Sequence, residues 1–332
     1  MRHINIALFV PHAGCPHQCC FCNQKSISGS TEALRPEQVG QAIEIALNGK
    51  EKLDAELAFF GGSFTAIERD YMLRLLDATV PYVSAGKISG IRISTRPDAI
   101  DRDVLLLLKS YGVTSIELGC QSMDDDVLHQ CNRGHTAADV EKACALIREY
   151  GFQLGVQMMT GLPGDTFETS VQTAKRLIAL QPDTCRIYPT VVLTGTPLAG
   201  MLERGEYKAQ TPEEAVDLCS ELLSLFTEAG IPVIRLGLHS GGNVEEGAIA
   251  GAYHPAFRQL CEGRIFYRHI KEVLNENVKT VYVPKGMVSS AVGHKKCNRI
   301  AFHEMGFSFT VREDESLKGF EVRTDQLLTP HS

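Results

Sequence analysis

The chain has 332 residues, of which 44% are hydrophobic and 22% charged, and a net charge of −7. That profile fits a globular protein with a full core and excludes a disordered or low-complexity chain. The acidic balance argues against a generally basic nucleic-acid coat, and without a run of about 18 apolar residues no helix is expected to span a membrane.

Hydrophobic runs alternate with amphipathic helical patterns. "INIALFV" (4–10) reads as a strand; it meets the cysteines without a small-residue cleavage site, so a signal peptide is not expected. "PEQVGQAIEIALNG" (36–49) reads as a helix opened near Pro36 and closed by Gly49. "AELAFFGG" is a strand entering a glycine turn, and "ERDYMLRLLDATVPYV" one helix. "GIRISTRP" is a strand stopped at Pro97, followed by the helix "DRDVLLLLKSYG". "VTSIELGCQS" is a fourth strand, with helical pieces from Asp124 to Tyr150 after it. "FQLGVQMMTGLPG" is the fifth, "TFETSVQTAKRLIAL" its helix, and "PDTCRIYPT" the sixth strand. Units of roughly 30–40 residues favour parallel strands with helical crossovers. The expectation is an α/β fold, a partial (β/α)6 barrel of the TIM type; a full barrel takes about 250 residues, more than the pattern allows.

After Thr211 come a long helix, the apolar strand "IPVIRLGLHS", and the Gly-rich "SGGNVEEGAIAGAYHP", which reads as a loop. Residues 255–332 read as helix, strand, helix and two strands. A boundary near residue 241 divides a core of residues 1–240 from a small α+β extension, 241–332.

In parallel α/β folds ligands gather at the C-terminal ends of strands. Here those ends carry the cysteines, "GGSFT", "STRPD", "GCQS", "TGLPGD" and "YPT" in succession, which points to one shared cavity.

The first end, "PHAGCPHQCCFCNQ", holds Cys15, Cys19 and Cys22 in a C-x3-C-x2-C spacing, with Cys20 beside the second. Without export, the eleven cysteines should stay reduced in a cytoplasmic setting, and their odd number opposes a disulfide framework. A closed zinc site needs two more ligands; no second C-x2-C exists, and Cys15 or Cys20 with His12 or His17 would crowd one loop. Three thiolates suit an iron–sulfur cluster with one iron lacking a protein ligand. A ligand adjacent to Cys19 would have to turn back on itself, so Cys20 reads as a bystander.

The cysteine loop with Phe21 before its last cysteine resembles the signature of the radical S-adenosylmethionine (SAM) enzymes. "GGSF" resembles their Gly-Gly-Glu-Pro motif, with Ser63 and Phe64 departing from it. "GGSFT", "ISTRPD", "ELGCQSMDDDVL", "NRGHT", "MMTGLPGDT" and "YPTVVLTGTPL", in this order, resemble the radical domain of the Elongator catalytic-subunit family. The similarity to oxygen-independent coproporphyrinogen III oxidase is more distant. The resemblance implies a [4Fe–4S] cluster whose open iron is chelated by SAM. One electron from an external donor then cleaves SAM, and the resulting 5′-deoxyadenosyl radical abstracts hydrogen from a substrate. The Elongator family modifies wobble uridine of transfer RNA, which makes tRNA the implied partner. Its acetyltransferase domain would begin about where this chain ends, so a separate acyltransferase is a candidate partner. A tetrapyrrole substrate, and a non-enzymatic zinc or iron–sulfur RNA-binding protein, are the competing readings.

The resemblance also assigns roles. Cys15, Cys19 and Cys22 would ligate the cluster. Gly61, Gly62, Ser63 and Phe64 would turn backbone groups to the methionyl amine. Thr95 and Arg96 would reach ribose or substrate, and Gln121 would lie beside the cofactor. Arg133 would pair the methionyl carboxylate, a group that suits its fork. Gly161 and Gly164 would let strand five pass the adenine. Gln157 stands where porphyrinogen enzymes carry an acid. Tyr188 is the candidate relay for an electron or hydrogen. The plain alternatives are a tight turn at Gly61–Phe64, rim arginines and a packing tyrosine; His239, His254 and Cys131 read as structural.

Charge is uneven: eight Lys/Arg face two Glu between Gly263 and Arg299. "AVGHKKCNRIAFHEMGF" loosely resembles a KH-type GXXG loop, with a lysine for the second glycine. Lys285, Lys295, Lys296 and Arg299, with Tyr282 nearby, are therefore candidates to meet RNA phosphates; a solvated basic face is the plain alternative.

Overall fold

In the computed structural model, which describes residues 4–10, 19–22, 33–51, 54–238 and 242–328, the alternation resolves into a curled, seven-stranded parallel sheet with a helical coat. Its units run β1 (Ile4–Val10), α1 (Pro36–Leu47), β2 (Ala55–Gly61), α2 (Arg69–Asp77), α3 (Val80–Ser84), β3 (Gly90–Thr95) and α4 (Arg102–Ser110). They continue with β4 (Val113–Gln121), α5 (Asp125–Gln130), α6 (Ala137–Glu149), β5 (Gln153–Thr160), α7 (Phe167–Ala179) and β6 (Thr184–Pro189). After β7 (Val191–Leu193), α8 (Pro197–Glu203) and α9 (Pro212–Glu228), the strand β8 (Val233–Leu236) joins beside β6. The sheet thus holds the six expected strands and a seventh, in the order β1-β2-β3-β4-β5-β6-β8.

Local chemistry starts the helices where the sequence suggests. Asp101 accepts from the backbone N–H of Val104 at α4, and Thr136, Thr166 and Thr211 close capping boxes at α6, α7 and α9. Side chains alternate along each strand. Leu57 and Phe59, Ile91 and Ile93, Ile116 and Leu118, Val156 and Met158, and Ile187 are buried in the main core. Glu56, Arg92, Glu117, Gln157, Arg186 and Tyr188 stand at the intervening positions and share the concave face.

Two expectations are corrected. The helix over 68–83 breaks between Asp77 and Val80, where Pro81 starts a separate turn. The Gly-rich "loop" contains α10 (Gly242–Gly247) and β9 (Ala248–Gly251), and β9 pairs antiparallel with β7. Gly251 permits this pairing: a Cβ there would lie 2.5 Å from the Thr190 carbonyl oxygen.

In the rest of the chain, α11 (Phe257–Val273) packs along α9, with Ser220 Oγ donating to the Cys261 carbonyl (3.1 Å). A small sheet has β10 (Thr280–Pro284) between β11 (Thr310–Asp314) and β12 (Arg323–Thr324), next to α12 (Val288–Val292) and α13 (Cys297–Glu304). One core runs from Ile6 to Phe320. Among the described residues no helix is long and apolar enough to cross a membrane.

Candidate active site

Cys19 and Cys22 form a turn after β1, with the Cys22 N–H donating to the Cys19 carbonyl (3.1 Å); Cys15 lies outside the described residues, as do His12, His17 and His239. Cys20 faces the other way. It is buried among Val127, Leu162, Val192 and Leu198, and its thiol meets that of Cys131. Its backbone is pinned on both sides, N–H to the Cys131 carbonyl (3.1 Å) and carbonyl to the Leu198 N–H (2.9 Å). Cys131 sets the position of this loop, a contact 111 residues away in sequence that no local pattern announces.

Arg133 leaves the turn after α5 and reaches the cysteines. Its Nη1 donates to Cys19 Sγ (3.3 Å) and its Nη2 to the Gly119 carbonyl (2.6 Å), while its buried Nε has no partner among the described residues. Arg96 holds this turn by donating to the Arg133 carbonyl (3.1 Å) and is itself clamped by Asp98 (2.5 and 2.8 Å). Gly119 opens the space: a Cβ would stand 3.1 Å from Gln121 Nε2 and 3.5 Å from Arg133 Nη2.

At Cys120 the β4 register slips by one residue, and Gln121 has φ +67°. Such bulges re-aim a side chain at a strand end. Gln121 Oε1 accepts from Gln157 Nε2 (3.3 Å), so two neutral amides lie side by side across β4 and β5. Buried His135 bonds the Cys120 carbonyl through Nε2 (3.1 Å) and leaves Nδ1 unpartnered. Burial first, and Arg133 second, push its pKa down to about 4, so it is neutral at pH 7.

The "GGSFT" turn is fastened to β3. Ser63 Oγ and Thr65 Oγ1 both bond Thr95 Oγ1 (2.8 and 2.5 Å), and Ser63 Oγ accepts from the Arg96 N–H (3.1 Å). Gly61 has φ +114°, and a Cβ there would stand 2.5 Å from the Phe9 ring. The Gly62 N–H donates to the Val10 carbonyl (3.1 Å), and Phe64 is buried, stacked on Phe59 at 4.8 Å. Thr95 and Arg96 are thus engaged inside the protein. In "TGLPGD", Asp165 gathers the Gly161 N–H (2.8 Å), Thr169 Oγ1 (2.5 Å) and Ser170 Oγ (2.6 Å). Gly161 (φ +70°) and Gly164 (φ +78°) leave room for Gln210 and Gln130 respectively.

Deeper on the concave face runs a charged network that the sequence reading passed over. Arg92 pairs Glu56 (2.8 Å) and Glu117 (3.3 Å); Arg186 pairs Glu117 through two nitrogens (2.7 and 2.9 Å) and lies 5.3 Å over the Phe60 ring. Half-buried Tyr188 lies beside Arg186 at the end of this network. A signal was available: single charges inside the apolar runs "GIRIST", "SIELG" and "CRIYP".

The basic candidates separate. Exposed Lys295 and Lys296 lie in the turn that leads into α13 and exposed Arg299 in its first turn, whereas Lys285 pairs Glu315 (2.7 Å) and Tyr282 carries Arg323 on its ring. His254 lies edge-on to His294 (5.3 Å).

A parallel half-barrel with cysteines, a cation and paired amides at its strand ends defines an α/β enzyme with a cofactor-binding mouth. Residues 9–177 match the Radical SAM superfamily, and residues 182–266 the Radical_SAM C-terminal domain. The chain belongs to the radical SAM superfamily and is an enzyme of it. It is 33% identical over 190 residues to tRNA uridine(34) acetyltransferase of Methanocaldococcus infernus, covering 51% of this chain and 36% of that one. It is 31% identical over 225 residues to Elongator complex protein 3 of Homo sapiens, covering 59% and 41%. The chain thus spans well under half the length of these relatives. The solved archaeal Methanocaldococcus infernus Elp3 shares its fold, with a TM-score of 0.62 at 24% identity over 82% of this chain and 63% of that one.

The family implies a [4Fe–4S] cluster and SAM. The residues present fit them. Among the described residues Arg133 keeps a buried donor unmatched beside Cys19, and the Cys20 thiol is turned away into the apolar cluster.

Proposed function

We propose that this radical SAM enzyme modifies a transfer-RNA-like RNA, with Cys15, Cys19 and Cys22 as cluster ligands. When bound, cluster and cofactor supply hydrogen-abstracting, one-electron chemistry, fed by an external electron donor. Arg133 binds the methionyl carboxylate; the observation that carries this assignment is its guanidinium at Cys19 Sγ (3.3 Å), which no carboxylate among the described residues pairs and whose buried Nε has no partner among them. The backbone at Gly61–Phe64 receives the amine. Gln121 and Gln157 meet ribose hydroxyls as neutral donors and acceptors. Gly161 and Gly164, both left-handed, turn the end of β5 past the adenine. Tyr188, beside Arg186, faces the substrate and delivers or accepts a hydrogen at its phenol oxygen. The paired floor beneath excludes water from these groups.

The RNA part is supported by the names of the relatives and by the basic start of α13. A cytoplasmic location goes with it. Acetyl transfer is not carried over to these residues. The test has two arms. Anaerobically reconstituted protein should be brown and release 5′-deoxyadenosine from SAM with dithionite; colourless protein with stoichiometric zinc would end the cluster assignment. Nucleoside mass spectrometry of RNA from a deletion strain should lack one modification, and an unchanged profile would remove RNA as the substrate.

A further inference from the structure

Between α12, α13 and β11 lies a cavity of about 230 Å3 that no step above uses. Its walls are apolar and fixed. Phe302 is buried, stacked on Tyr267 (5.0 Å) and edge-on to Phe309 (5.5 Å), and Val288, Ala291, Val292, Phe307 and Val311 share the lining with exposed His303. Exposed Ser308 and Thr310 add hydroxyls at one side, where β11 is the outer strand of its sheet. Exposed Arg299 stands at the cavity with no ion pair among the described residues.

The surrounding charge selects the occupant. From Gly286 to His303 the sequence holds Lys295, Lys296 and Arg299 and no acid, in a chain of net charge −7. The acids at the far end of β11 are already engaged: Glu313 by the Gly286 N–H (3.0 Å), Asp314 by Arg323 and Glu315 by Lys285. The two lysines are also held up by the backbone. Both are left-handed (φ 51° and 64°), a region that side chains with a Cβ enter at a cost. The loop is locked by Gly293, where a Cβ would stand 2.6 Å from Cys297 Sγ, and by buried Asn298, which donates to the Gly263 (2.7 Å) and Ala291 (3.1 Å) carbonyls.

We propose that this cavity is a slot for one unpaired nucleotide of the RNA substrate. The base enters the apolar slot against Phe309, its polar edge meets Ser308 and Thr310, and Arg299 takes the adjoining phosphate. Lys295 and Lys296 take phosphates further along. The aromatic wall suits a splayed-out base and the cations suit its backbone. The slot rests on the RNA reading above and gives it a docking point outside the barrel.

The probe is a fluorescein-labelled RNA hairpin with an unpaired loop, titrated by anisotropy against the full chain, beside a blunt duplex of equal length. The hairpin should bind and the duplex should bind far more weakly. Arg299→Ala should lower hairpin affinity about tenfold and reduce the salt slope by about one. Phe309→Ala should lower it by about tenfold with the slope unchanged, because stacking releases no counterions. Val292→Phe, which fills the slot instead of emptying it, should do the same and guards against a folding artefact. Lys285→Ala should have no effect. Equal binding of hairpin and duplex, or wild-type affinity in all three slot variants, overturns the slot. If the deletion strain still lacks one nucleoside, the slot alone has failed. If no RNA binds and no nucleoside is missing, the RNA reading has failed with it.

Discussion

At the floor of the half-barrel, Arg92 and Arg186 commit their guanidinium groups to Glu56 and Glu117; at its mouth, Arg133 meets a cysteine sulfur and a backbone carbonyl and, among the described residues, no carboxylate. The floor is sheltered from water, and at the mouth the Arg133 side chain is half-buried. The floor removes its charges by matching them, two against two. The mouth keeps a cation unmatched by any carboxylate among the described residues. Buried charge without a partner is costly, so it persists where a ligand supplies the partner. Pairing thus separates what holds the barrel from what binds in it.

The largest expected effect breaks this contrast at the mouth. Cys22→Ala should abolish cluster assembly, whereas Cys20→Ala should retain full iron content, because Cys20 packs against Cys131. Iron and sulfide analysis after reconstitution decides it, and the reverse result would refute the ligand choice. At the floor, Glu117→Ala leaves two arginines without their shared carboxylate and should cost about 3–5 kcal/mol of stability. Urea denaturation of the apo-protein measures it; a loss under about 1 kcal/mol would mean that the floor relaxes around water.

His135 sharpens the comparison through pH. Its folded pKa, about 4, lies below the ordinary 6.5, so its stabilising effect is fully present above pH 6.5 and is lost as pH falls towards 4. About 3 kcal/mol should disappear across that window, and His135→Asn should flatten it. Melting curves between pH 4 and 7 would show a pH-independent difference if burial were not the cause. Arg133→Gln should weaken SAM binding by about 2 kcal/mol, roughly 30-fold, with little change in stability, since no carboxylate among the described residues pairs it. Lys285→Ala should change stability by under about 0.5 kcal/mol, as expected of an exposed pair with Glu315.

The strand ends were legible because each carries its own signal: a cysteine spacing, a glycine pair, a proline stop. The relation between ends was not. Arg133 and Cys19 lie 114 residues apart, and Glu117 joins arginines from two other strands. The β7–β9 pair was missed because "AIAG" carries a single branched residue, Ile249, among small ones. Lys285 and Tyr282 looked available because Glu315 and Arg323, which engage them, lie 30 and 41 positions downstream. The break in the helix after Asp77 was visible in Pro81, yet the apolar pattern on either side concealed it.

The seven-stranded sheet never closes. Among the described residues β1 and β8 are both terminal strands, and Arg258 covers one open carbonyl of β8, that of Val233 (2.7 Å). A ring of strands would admit only what fits whole through its top. A horseshoe has a side gate, so a polymer far wider than the chamber can lend it a single unit while the bulk stays outside.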